Sequence, residues 1–135
     1  MRYSMFALVV ILTAAVAAPL MAHHSFAAEY DSKQPVTLTG AVTKIEWMNP
    51  HVYFYIDVKD EQTGRVANWA FEMGAPAVIQ RNGWTRNSMK IGDIVIVEGT
   101  RAKSGANHGN ARSVTMASTG KKLGAGSSEG QTPEQ

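Results

Sequence analysis

Between Gln34 and Ser118 the apolar positions recur mostly every second residue, the period of a strand with one covered face. "PVTLTGAVTKIEW" sets Val36, Leu38 and Val42 on one parity, and Ile45 and Trp47 on the other. A one-residue slip turns every later side chain to the opposite face unless the chain bulges. The pattern therefore predicts a bulge or sharp coil between Gly40 and Lys44. "HVYFYIDV" alternates without interruption, with Val52, Phe54, Ile56 and Val58 on one face and His51, Tyr53, Tyr55 and Asp57 on the other. "DEQTGR" is turn chemistry, and its Gly64 is free to take a positive φ. "VANWAFEM" then places Ala67, Trp69, Phe71 and Met73 inward and Asn68, Ala70 and Glu72 outward. The two segments read as a hairpin.

"GAPAVIQRNGW" changes character. Pro76 suits the first turn of a helix, Val78 and Ile79 give it a short apolar side, and Asn82-Gly83 stops it. "IGDIVIVEGTRA" is apolar on both faces and reads as a central strand, "ARSVTMAS" as the last strand, and "KSGANHGN" between them as a flexible loop. The order is strand, strand, strand, short helix, strand, strand. It predicts an all-β fold with one short helix, a small OB-fold-like, partly open Greek-key β-barrel. A different small barrel or a sandwich is the alternative.

The ends frame this domain. Arg2, the apolar run "MFALVVILTAAVAA" and Ala22 have the layout of a secretory signal over residues 1–22. The run is shorter than the ~20 residues of a membrane-spanning helix, so an uncleaved anchor is the weaker reading. A cut after Ala18 would leave Pro19 at the new terminus, so a cut after Ala22 is preferred, and the mature chain begins at His23. The expected organisation is a signal at 1–22, an arm at 23–33, the barrel at 34–118 and a disordered tail at 119–135, since "GKKLGAGSSEGQTPEQ" offers one Leu to bury. The expected location is periplasmic or secreted, with no stable membrane span after cleavage. The chain contains no Cys, so an ordinary core must replace the disulfides common in exported domains. Loss of Arg2 takes the formal charge from +2 to about +1, which is no footprint for nucleic acid.

The stretches "HHSFAAEYD", "VTKIEWMNPHVYFYIDV", "NWAFEMGAP", "GWTRNSMKIGD" and "GNARSV" cover nearly all of the mature domain. They resemble a family of small exported bacterial proteins of unknown function, with an HHSF-type mature N-terminus and an OB-like barrel. The resemblance implies family membership and carries no activity.

No nucleophile constellation is present. None of Ser25, Ser32, Ser88, Ser104 or Ser113 has a Gly-x-Ser-x-Gly setting, and "GTRAKSG" lacks the spacing and the helix of a phosphate loop. The expectation is a binding domain and not an enzyme. The histidines give the sharper lead. Cleavage before His23 frees an α-amino group that can chelate together with its own imidazole, a donor pair suited to Cu(II) or Zn(II). His24 is the neighbour and His51 the candidate third point. A hairpin turn centred near Gln62 and Thr63 sets Tyr53 opposite Glu72, with His51 one diagonal step away. Tyr53, Tyr55 and Glu72 are thus the candidate ligand-binding face, and His108 lies in a loop that folds toward this patch or away from it. The competing reading is plain structure: terminal histidines as an exposed polar arm, His51 bonding a turn carbonyl after Asn49-Pro50, and Tyr53 and Tyr55 as ordinary strand formers. Trp47, Tyr53, Tyr55 and Trp84 could also form a stacking platform, although Trp84 is better read as a cap on the open barrel end. Two functions follow, metal handling with a copper or zinc ion as partner, or a structural or interaction module that binds an envelope protein.

Overall fold

The computed structural model describes residues 25–129. The expected signal at 1–22, and His23 and His24, lie outside the described residues. A helical turn α1 (Phe26–Glu29) runs straight into a long strand β1 (Tyr30–Glu46). Strands β2 (Tyr53–Lys59) and β3 (Val66–Glu72) form the hairpin, helix α2 (Pro76–Arg81) follows, and β4 (Ile94–Ala102), β5 (His108–Met116) and a short β6 (Lys122–Gly124) complete the sheet. The strand order is β3-β2-β1-β4-β5-β6, and a parallel pairing of β3 with β5 closes the first five strands into a ring. This is an all-β, OB-fold-like small barrel.

The parity slip in β1 is resolved by a bulge. Register shifts between Val42 and Lys44, so Val42 pairs with Ile56 and Ile45 with Phe54. Both apolar residues then face inward despite their odd spacing. Two residues earlier, Gly40 crosses β2 so closely that a Cβ there would sit 2.4 Å from the Asp57 carbonyl oxygen. The interior gathers Val42, Phe54, Ile56, Trp69, Phe71, Val95, Val97 and Val114. Phe71 stacks on Phe54 at 5.6 Å and on Trp69 at 6.1 Å between ring centroids. Helix α2 starts with Pro76 and buries Ile79 completely. Trp84 is buried beside it, and its indole N–H donates to the Gly124 carbonyl at 2.9 Å, so this ring belongs to the core and not to a stacking platform.

Three expectations need correction. The tail does not begin at residue 119: β6 pairs with β5, Leu123 and Ala125 are buried in the core, and Arg112 holds the Glu129 carboxylate at 2.7 Å. One leucine and one alanine suffice because the sheet supplies the backbone partners. The arm is not separate from the barrel either, since β1 begins at Tyr30, which pairs with Ala102 and is buried. The loop "KSGANHGN" ends at Asn107, because His108, Gly109 and Asn110 pair with Ala70, Phe71 and Glu72 of β3. Strand β4 is central between β1 and β5, as its apolar run predicts, and Ile94 at its start is 48% exposed. Among the described residues no helix is long and apolar enough to cross a membrane.

Candidate metal centre at the junction of arm and barrel

The outer face of the hairpin carries the polar cluster. Tyr53 lies directly opposite Glu72, as the alternation of the two strands requires. Glu72 points away from the apolar interior but is only 8% exposed. Tyr30, the first residue of β1, bonds it, and the Glu29 carboxylate of α1 lies within 4.8 Å. A carboxylate taken out of water needs a partner on each oxygen. Oε2 accepts a short hydrogen bond from the Tyr30 hydroxyl, and Oε1 lies 3.2 Å from His51 Nδ1. His108, brought alongside by the β3–β5 pairing, has Nε2 3.1 Å from the Tyr30 hydroxyl oxygen. Glu29 completes the group, with Oε1 3.9 Å from His108 Nδ1.

These contacts fix which ring nitrogens carry protons. Tyr30 has one proton, and a carboxylate can only accept, so that proton points to Glu72. The Tyr30 oxygen then accepts from His108 Nε2–H. In the neutral ring this leaves the Nδ1 lone pair facing the Glu29 carboxylate. Two electron-pair donors 3.9 Å apart form a gap that a cation can occupy, since bonds of about 2.0–2.2 Å to nitrogen and to oxygen span it. His51 follows the same logic. The Met73 carbonyl, 3.0 Å from its Nδ1, accepts, so Nδ1 carries the proton and Nε2 holds the free lone pair. An imidazole whose second nitrogen donates to a carbonyl or carboxylate is held in the manner of a metal ligand.

Glu29, Glu72 and His108 each offer a ligand atom, and the three atoms lie within 4.8 Å of one another. They come from α1, β3 and β5. The two acids are not neutralised by a cationic side chain: among the described residues their ion-pair partners are His108 and His51. The tyrosines register this field. Burial, the bond to Glu72 and the nearby charges of Glu72 and Glu29 push the Tyr30 phenol well above the ordinary phenol range. Burial first, and then the Glu72 charge, push Tyr53 up to about 12.

The sequence-predicted residues divide. His51, Tyr53 and Glu72 share one patch, with His108 folded toward it. Tyr55 does not join them, because its hydroxyl donates to Glu46 Oε2 at 2.9 Å, and Lys44 binds the other Glu46 oxygen at 2.6 Å. His51 bonds a carbonyl, as its plain structural reading expects, but that carbonyl belongs to Met73 and not to the Asn49-Pro50 turn. Glu29 and Tyr30 were not anticipated as site residues. Their signal was the stretch "AAEYD", where a small amphipathic turn runs into a strand.

An all-β barrel with a mixed carboxylate, imidazole and phenol cluster on its hairpin face defines the class. The chain belongs to a family of unknown function (DUF6152), which it matches over residues 10–112, a span that includes every residue of the cluster. No curated protein and no solved structure matches the chain.

Proposed function

We propose that this protein is an exported, non-enzymatic domain that binds a divalent transition-metal ion at the junction of arm and barrel. The observation that carries the reading is the convergence of Glu29, Glu72 and His108 ligand atoms within 4.8 Å, with no Lys or Arg paired to either acid among the described residues. Nitrogen and oxygen donors without thiolate suit Zn(II) or Cu(II) in an oxidising compartment. Export rests on Arg2, the apolar run and Ala22. Cleavage there frees the His23 amine, and His23 and His24 stand six and five residues before Glu29, near enough along the chain to add donors.

Titration of the purified protein with Zn(II) and with Cu(II), against a competing chelator, tests the site. His108→Ala and Glu72→Gln should each weaken binding at least tenfold. Placing one extra residue before His23 should weaken Cu(II) further if the terminal amine is a ligand, and intact mass of the periplasmic form reports where the mature chain starts. Equal affinity for wild type and His108→Ala would sink the site. The second reading is an interaction module of the envelope, and the exposed side chains of Ile91 and Ile94 favour it. It gains if neither metal binds.

A further inference from the structure

We infer that the segment from Ser25 to Tyr30 is the moving half of this site, so that docking of the arm and capture of a divalent ion form one linked equilibrium. The inference rests on the metal reading above.

The ligands are divided between two bodies. Glu72 and His108 sit on β3 and β5, which pair directly and move as one. Glu29 sits on α1. That turn has four residues, no buried side chain and no side-chain hydrogen bond at its N-cap. So short a helix has no stability of its own and persists only where it is docked. Its ties to the barrel are few. Lys103 donates its backbone N–H to the Glu29 carbonyl at 2.9 Å and its ammonium to the Ala27 carbonyl. Tyr30 is the one buried anchor, bonded to Glu72 and His108.

A hinge lies immediately behind that anchor. Tyr30 pairs with Ala102 and Pro35 with Thr100. Between those points β1 takes five steps and β4 two, so β1 carries three residues more than β4 across this irregularity. Ser32, Lys33 and Gln34 are exposed, and this stretch bonds mainly to itself: Asp31 accepts from the Lys33 backbone N–H at 3.0 Å and from the Gln34 amide at 2.9 Å. The arm can therefore rotate on this stretch without disturbing the barrel ladder beyond Pro35.

Charge supplies the coupling. Docking brings the Glu29 carboxylate to within 4.8 Å of a Glu72 ligand atom. Two like charges so close, one of them buried, oppose docking when no cation is present. A divalent ion reverses the sign and joins the arm to the barrel through Glu29. A ligand that binds the docked form better must shift the arm toward it, and the arm must raise ion affinity by the same factor. A site assembled in this way captures and releases its ion.

Hydrogen exchange read by mass spectrometry on the purified protein, with and without saturating Zn(II), measures the arm directly. The amides of Ala28, Tyr30 and Lys103 are the reporters, because each is bonded only when the arm is formed and docked. Zn(II) should slow their exchange at least tenfold. Glu29→Gln should bind Zn(II) at least tenfold more weakly and lose the slowing. Tyr30→Phe should speed exchange in the absence of metal and weaken Zn(II) by a matching factor. If Zn(II) binds wild type and depends on His108, yet exchange at these amides is unchanged, the arm is fixed; the inference fails while the metal site stands. Equal slowing in Glu29→Gln also overturns it. If Zn(II) does not bind, the site and its moving arm fall together.

Discussion

The two faces of the β2–β3 hairpin differ in cover and in the rules that hold them: the inner face is buried, and on the outer face Glu72 alone is. On the inner face Phe54 and Phe71 stand opposite each other and stack, fully enclosed by the other strands. One register step away, on the outer face, half-buried Tyr53 stands opposite buried Glu72, which Tyr30 of the arm bonds. The inner pair asks only for volume and close packing. The outer pair includes a carboxylate that is costly to bury without partners; Tyr30 donates to one of its oxygens, and the His51 ring lies 3.2 Å from the other. The inner face is thus secured by many interchangeable contacts. The outer face depends on a few specific ones, and the segment supplying the most important of them is joined to the barrel by an irregular stretch of β1. The contrast sets a packed core on one face of the hairpin against a polar cluster held by few contacts on the other.

The contrast can be tested by stability. Phe71→Ala removes a fully buried ring and should cost about 3–5 kcal/mol in chemical denaturation. Tyr30→Phe keeps the ring but removes the hydroxyl that joins Glu72 to His108, leaving both short of a partner, and should cost about 1–3 kcal/mol. A loss for Tyr30→Phe larger than for Phe71→Ala would make the arm, and not the core, the main support of the fold.

Alkaline titration gives a smaller effect confined to the outer face. The folded Tyr53 phenol is raised from its ordinary value of 10.0 to about 12. Above pH 10 the unfolded chain ionises this group while the folded chain holds its proton. Stability from this source is therefore fully present below pH 10 and is lost as pH rises toward 12. Denaturation midpoints measured across that window should fall less steeply in Tyr53→Phe than in wild type. Matching slopes would mean that the outer face does not hold the phenol in its neutral form.

Tyr55→Phe should have the smallest effect, roughly 0.5–1 kcal/mol, because its bond to Glu46 is only partly buried. A cost near that of Phe71→Ala would mean that the bond to Glu46 is enclosed and that the outer face is as tightly held as the core.

Alternation is a local property, and it was enough to fix strand identity here. Side chains on a strand must point to opposite sides in turn, so "HVYFYIDV" and "VANWAFEM" revealed their faces, their register and the facing of Tyr53 and Glu72 before any tertiary contact was known. The parity slip announced the bulge near Thr43 for the same reason. The rest depended on partners far along the chain. "GANHGN" has loop composition, and His108–Asn110 became strand only because β3 and β4 supply backbone partners on both sides. "GKKLGAG" has too little apolar surface to order itself, but beside β5 it needed only Leu123 and Ala125. Tyr30 reaches Glu72 across 42 positions and His108 across 78, separations over which residue spacing carries no information about distance. The sequence alone placed half of the cluster, His51, Tyr53 and Glu72, on one hairpin. Closure of the barrel through the β3–β5 pairing brought in His108, and the fold of the arm onto that face brought in Glu29 and Tyr30, because only a closed sheet sets the ends of distant segments side by side.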